Sequence, residues 1–192
     1  FELYSMTYLP WEWYDDLFEL GSKLNVEIFA SVFDEESANF ISRYTTAKVK
    51  IASPEIIDTS LIDHCASIFD ELIISTGMAS KKEISTAVNL VRKHNKFVTL
   101  LQCVSEYPAL PQSYNLNGLG YLNDLADEIG ISDHSMDDTV VLGAVALGAR
   151  FVEKHFIDSR KVGGIDSHFS LEPTEFTEMV RKIRVLEAAC EK

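Results

Sequence analysis

The stretch Glu71-Leu72-Ile73-Ile74-Ser75-Thr76-Gly77-Met78-Ala79-Ser80-Lys81-Lys82-Glu83 contains one complete structural sentence. Its first five residues are apolar almost throughout, as a parallel strand covered on both faces must be. Four residues later Ser80-Lys81-Lys82-Glu83 has the S-x-x-E form of a capping box, in which the serine hydroxyl and the glutamate carboxylate satisfy free N–H groups at a helix start. A buried strand followed at once by a helix is a βα unit. Comparable runs stand at Val26–Phe33, Ala47–Ala52, Phe97–Val104, Glu128–Ser132 and Arg150–Phe156, each followed by a stretch with helical spacing. Asp34-Glu35-Glu36-Ser37 opens one such helix with acidic side chains that suit the helix dipole, Pro173 stands near the start of the last, and Gly148 closes the one that begins near Asp137. The pattern is βα repeated six times.

An open doubly wound sheet and a closed (β/α)8 barrel both accept this series. The open sheet usually carries a Gly-rich phosphate loop after its first strand, and neither G-x-G-x-x-G nor G-x-x-x-x-G-K-[ST] occurs here. The α/β class expected is therefore the TIM (β/α)8 barrel, with residues 1–192 a fragment covering about the last six βα units. The opening supports this: the chain starts at Phe1 without Met and passes through Tyr4, Tyr8, Pro10, Trp11, Trp13 and Tyr14, which reads as a loop entering a helix.

Composition narrows the partners. Seventeen basic against thirty acidic side chains give a formal net charge of −13, so the chain lacks the positive footprint that attracts nucleic acid or anionic lipid. The longest uncharged apolar stretch, Thr139 to Ala149, is well short of the ~20 residues that cross a bilayer. Cys65, Cys103 and Cys190 are odd in number and widely spaced, which argues against a disulfide framework or a zinc ribbon. A soluble, cytoplasmic protein is expected.

In such barrels the chemistry gathers where the strands finish. The exits present Ser31 with Phe33-Asp34; Lys50 with Ser53 and Glu55; Ser75-Thr76-Gly77-Met78; Cys103-Val104-Ser105 with Tyr107-Pro108; Ser132-Asp133-His134; and Glu153-Lys154-His155. Short hydroxyls and a strand lysine suit a phosphate or carboxylate ligand. Lys50 is the best cation, the alternative being a rim charge paired with Glu55 or Glu27. Each serine alone also fits a helix cap or turn. His134 and His155 end consecutive strands, so both imidazoles can reach one divalent ion that leaves positions open for a carbonyl; two hydrogen-bonded core histidines are the alternative. Asp133 and Glu153 either orient an imidazole or face solvent. Asp166 lies in a glycine-containing loop that can fold back over the mouth, or stays solvated. His64, His94 and His168 have no comparable setting, and the stripes Leu61/Cys65/Ile68 and Phe176/Met179/Val180/Ile183 read as core.

Taken in order, Lys50-Ile-Ala-Ser53, Ser75-Thr-Gly-Met78, Cys103-Val-Ser105-x-Tyr-Pro108, Ser132-Asp-His134, Glu153-Lys-His-Phe156 and Ser170-Leu-Glu-Pro173 resemble the N-acetylneuraminate (sialic acid) synthase family, which includes the legionaminic and pseudaminic acid synthases. The resemblance runs from about Val26 to the end. It implies condensation of phosphoenolpyruvate with an open-chain N-acyl hexosamine such as N-acetylmannosamine, giving a nine-carbon 2-keto acid and phosphate. It also implies a divalent metal, commonly Mn2+ with Mg2+ or Co2+ as substitutes, on His134 and His155, and phosphoenolpyruvate held by Lys50, Ser53, Ser75, Ser105 and Ser132. Ser31 matches a threonine position, although Val32 replaces the family's proline. Glu55, Tyr107 and Asp166 match positions associated with the amino sugar and the metal's water, although Lys161-Val162-Gly163-Gly164-Ile165-Asp166 departs from the commoner Pro-Gly-Pro-Asp. Family members are domain-swapped homodimers with a C-terminal antifreeze-like domain, which is expected outside residues 1–192 together with the first strands and their general-base glutamate. The stretch alone is therefore expected to be inactive. The competing readings are a synthase acting on a sugar phosphate, which calls for additional basic groups, and a degenerate barrel that only binds.

Overall fold

The computed structural model describes residues 9–190, so Tyr4 and Tyr8 of the expected entry loop lie outside the described residues. Six strands, β1 (Ser31–Val32), β2 (Lys48–Ile51), β3 (Glu71–Ser75), β4 (Phe97–Cys103), β5 (Glu128–Asp133) and β6 (Phe151–Lys154), form one parallel sheet in the order of the chain. They alternate with helices α1 (Tyr14–Leu24), α2 (Glu35–Ile41), α3 (Thr59–Ile68), α4 (Lys81–Lys93), α5 (Leu119–Asn123), α6 (Thr139–Ala146) and α7 (Pro173–Cys190). All strands are parallel and sequential neighbours, the arrangement of a barrel wall and not of a doubly wound sheet with its switch in strand order.

The wall is curled. Lys50 on β2 and Glu153 on β6 are separated by three strands, yet Nζ and Oε2 stand 3.4 Å apart. Lower down, Phe29 and Phe151 meet with ring centroids 6.3 Å apart. Side chains from distant strands can touch in this way only if the sheet bends round a common interior.

The helix starts follow their local chemistry. Asp34 accepts the Ser37 N–H at 2.7 Å at the head of α2, and Ser80 and Glu83 make the reciprocal pair at the head of α4, with Ser80 N–H donating to Glu83 at 2.6 Å. One face of each strand packs under the helices: Leu72, Ile74, Val98, Leu100, Ile129 and Ile131 join Ile62, Cys65, Phe69, Val88, Val91 and Val141 in the main core. The opposite face, through the register Ser31↔Lys50↔Ile73↔Thr99 and Cys103↔Ser132↔Glu153, turns toward the barrel interior.

Two elements differ from the sequence expectation. The first strand pairs over only Ser31–Val32 instead of Val26–Phe33, because it borders a single described strand and has no ladder on its other side. The crossover after β4 is mostly loop, with 3₁₀ turns at Pro111–Ser113 and Leu116–Gly118 and only five residues of α5. Pro111 has no N–H to give a helix, and Asn115 takes a left-handed φ of 43°. The cysteines are free, and no described helix is long and apolar enough to cross a membrane.

Candidate functional site

A cleft of about 550 Å³ opens at the C-terminal ends of the strands and collects side chains from all six exits. Of the eleven residues singled out in the sequence, nine line it: Ser31, Lys50, Ser53, Ser75, Ser105, Tyr107, Ser132, His134 and His155. Phe33, Cys103 and Glu153 join them. Glu55 and Asp166 do not line the cleft, but each stands beside a group that does.

Lys50 is 4% exposed, and its ammonium donates to Ser75 Oγ at 2.8 Å and faces Glu153 at 3.4 Å. Neither rim partner considered from sequence holds it; Glu27 is engaged by Lys48 at 2.9 Å. A nearly sealed lysine with one hydroxyl and one carboxylate has a hydrogen left over for a ligand. Beside it the β3 exit brings Gly77 against two more hydroxyls. Ser53 Oγ accepts the Gly77 N–H at 3.1 Å, and a β-carbon at this position would fall 2.6 Å from Ser105 Oγ and 2.8 Å from Ser53 Oγ. Only the missing side chain lets both hydroxyls close on the backbone here, and Gly77 was not among the candidate residues.

The two histidines come together with ring centroids 5.4 Å apart. Nδ1 of His134 lies 2.7 Å from the Val104 carbonyl, which can only accept, so that nitrogen carries the hydrogen and Nε2 keeps its lone pair. The His134 backbone N–H donates to the Tyr114 hydroxyl at 2.6 Å, and the Tyr107 ring covers the imidazole with centroids 4.2 Å apart. Tyr114 lies fully buried in the irregular crossover, and nothing in its sequence setting marks it as a support for His134. Asp166 Oδ2 approaches His155 Nδ1 to 3.6 Å, so the loop does fold back, with Gly163 and Gly164 at positive φ. Burial lowers the pKa of both imidazoles, which favours the neutral form that binds metals.

This donor set fits a divalent ion: two imidazoles that burial keeps neutral, His134 with its Nδ1 hydrogen engaged by the Val104 carbonyl and its Nε2 facing the Ser132 hydroxyl at 3.5 Å, and carboxylates of Asp166 and Glu153 nearby. No group of three or more His, Cys, Asp or Glu side chains able to hold a metal occurs among the described residues.

Glu55 follows β2 in a short 3₁₀ segment, Ser53–Ile57. Its Oε2 is the one buried side-chain oxygen or nitrogen without a hydrogen-bond partner among the described residues. Burial holds this carboxyl above the usual glutamate range, with Lys50 pulling the other way.

Asp133 corrects both alternatives offered for it, whereas the half-exposed Glu153 does meet solvent as one alternative had it. Asp133 is fully buried and pairs with Lys154 at 2.6 Å, neither touching an imidazole nor facing solvent, while Glu153 pairs with Lys50. His64 bonds Asn39, His94 bonds Asp63, and His168 is exposed, all outside the cleft.

A curled, all-parallel βα wall with a cleft at its strand exits is the wall of a (β/α)8 barrel. The NeuB family matches residues 1–192, and the chain belongs to it. It is 37% identical over 186 residues to pseudaminic acid synthase of Helicobacter pylori, a match spanning 96% of this chain and 55% of that protein. It is 36% identical over 177 residues to N,N'-diacetyllegionaminic acid synthase of Legionella pneumophila, spanning 88% of this chain and 49% of that protein. The crystal structure of N-acetylneuraminic acid synthetase from Leptospira borgpetersenii superposes with a TM-score of 0.92 at 32% identity, covering 99% of this chain and 67% of that one. The chain thus spans about half the length of the curated relatives it matches.

Proposed function

We propose that this chain supplies the substrate-holding wall of a nonulosonic acid synthase, which condenses phosphoenolpyruvate with an open-chain N-acyl hexosamine. The observation that carries this reading is the convergence of Lys50, four buried or half-buried serine hydroxyls and the His134/His155 pair in one cleft. Lys50 and the hydroxyls of Ser53, Ser75, Ser105 and Ser132 hold the phosphate and carboxylate of phosphoenolpyruvate; Ser31 extends the row at the rim. The Glu55 carboxylate, with its unpartnered oxygen, accepts from the sugar's amide or hydroxyls, and Tyr107 walls the sugar side. A divalent ion on His134 and His155, Mn2+ or alternatively Mg2+ or Co2+, would supply Lewis-acid polarisation of the aldehyde, with Asp166 beside it accepting from a bound water.

In the reaction the C2=C3 electron pair of phosphoenolpyruvate forms a bond from C3 to the aldehyde carbon, whose C=O opens to a hydroxyl. Water adds at the C2 cation so formed and gives up a proton that balances the one taken by the new hydroxyl; the C2–O bond to phosphate then breaks as C2 becomes the ketone, and the nine-carbon 2-keto acid and phosphate leave. The cations favour a substrate pair with one phosphate: Lys50 faces Glu153 and Lys154 is sealed against Asp133, which among the described residues leaves the cleft no further basic cluster for a sugar phosphate. Exposed Phe33, Met78, Met136 and Phe156 follow four of the strand exits, an apolar rim that suits coverage by the antifreeze-like domain of a partner subunit in a swapped homodimer.

The test is phosphate release from phosphoenolpyruvate by the intact protein, with and without Mn2+, across N-acetylmannosamine and diacetamido dideoxy hexoses, beside His134→Ala. Metal-dependent release with one sugar, lost in His134→Ala, is expected. No release with any sugar from folded protein would favour a barrel that only binds.

A further inference from the structure

The two histidine strands carry a sealed ion pair that the reaction above does not use. Asp133 and Lys154 directly precede His134 and His155 and are register partners across β5 and β6. Their side chains are 0% and 1% exposed. The Lys154 ammonium donates to Asp133 Oδ2 at 2.6 Å, to the Ser135 carbonyl at 2.6 Å and to the Asp137 carbonyl at 3.0 Å, so all three of its hydrogens have acceptors. Asp133 accepts in addition from the Ser135 N–H at 2.9 Å and the Ser135 hydroxyl at 3.0 Å. Nothing of this network is left over for substrate.

Desolvating two charges roughly cancels their attraction, so a buried pair of this kind is weakly explained by stability. Its geometry is more informative. Every acceptor of Lys154 belongs to residues 133–137, the segment that carries His134, while Lys154 itself is bonded in the chain to His155. The pair therefore ties one histidine's loop to the other histidine's strand.

We propose that Asp133 and Lys154 are positioning residues that set the separation and aim of His134 and His155 for a divalent cation. This rests on the metal-binding reading above. A pair that served the fold alone would change melting and leave metal affinity as it was.

The test is Mn2+ binding to the intact protein, read from the loss of the free-ion electron paramagnetic resonance signal, together with thermal melting. Asp133→Asn combined with Lys154→Met removes both charges at similar volume; it should melt close to the parent and raise the Mn2+ dissociation constant about 10- to 100-fold, the usual effect of removing an outer support of a metal ligand. Asp133→Glu keeps both charges but lengthens the strut by one methylene, should weaken Mn2+ several-fold, and decides the matter if the double variant does not fold. A folded variant of either kind that binds Mn2+ as tightly as the parent overturns the proposal. A parent that binds no Mn2+ overturns the metal reading beneath it, a result that differs from the first because no variant is needed to see it.

Discussion

Replacing Gly77 by alanine should separate ligand binding from folding in this cleft. The added β-carbon would stand 2.6 Å from Ser105 Oγ and 2.8 Å from Ser53 Oγ. Each hydroxyl must withdraw by about 0.6–0.8 Å to regain ordinary van der Waals contact. Both obstacles are ends of serine side chains, which yield by rotating about χ1, so the cost in stability should stay near the low end of the roughly 1–3 kcal/mol typical of overpacking. The cost in binding is larger. A hydrogen bond to a charged group contributes about 1.5–3 kcal/mol, and losing one of the two to a phosphate or carboxylate weakens binding about 10- to 150-fold. The assay is phosphate release by the intact protein at varied phosphoenolpyruvate, beside urea unfolding. The expected outcome is a KM for phosphoenolpyruvate at least tenfold higher with the KM for the sugar little changed. A variant with parental KM values would show that Ser53 and Ser105 do not hold the anion.

Three further outcomes follow from the same geometry. Lys50→Met removes the cleft ammonium and leaves Glu153 facing the anion, so phosphoenolpyruvate binding by calorimetry should weaken about 10- to 150-fold or more, the loss of one charged hydrogen bond at about 1.5–3 kcal/mol; binding as tight as the parent's would show that Lys50 does not hold the anion. Tyr114→Phe takes away the acceptor of the buried His134 N–H and should cost about 1–3 kcal/mol in urea unfolding; an unchanged midpoint would mean that the bond carries no net stability. For Glu55→Gln the sign comes from burial: the folded carboxyl titrates above its usual 4.5, so the native state holds the proton longer than the unfolded one and the parent loses stability as pH rises through that window. The variant should therefore gain on the parent as pH rises above the usual 4.5 in urea unfolding while the sugar's KM rises, and a stability difference independent of pH would refute this.

What was legible in the sequence follows from the strand period. Once Glu71–Ser75 is read as a buried strand, its exit and the exits of its five counterparts are determined, and nine of the candidate residues meet in one cleft as a result. The capping boxes at Asp34 and Ser80 were readable for the same reason, since their bonds span three residues. Partners that depend on curvature were not readable. Nothing local predicts that Lys50 meets Glu153 across three intervening strands, and Glu27 and Glu55, nearer in sequence, were the natural rivals. Tyr114 escaped because the crossover that carries it has no period at all, and Gly77 because the value of an absent side chain shows only when its neighbours are placed.

The alternation that made the exits legible also divides the labour within β5 and β6. Inward residues Ser132 and Glu153 meet the ligand space, and the next residues, Asp133 and Lys154, turn to the other face and find each other. A one-residue slip of register would exchange the two sets, exposing the sealed pair to the cleft and burying the hydroxyl and carboxylate meant for it. The Asp133–Lys154 bond opposes that slip, because only the observed register brings the ammonium onto Asp133, Ser135 and Asp137 together. The same contact thus fits the register on which the cleft depends and, on the proposal made above, braces the two histidines that follow it.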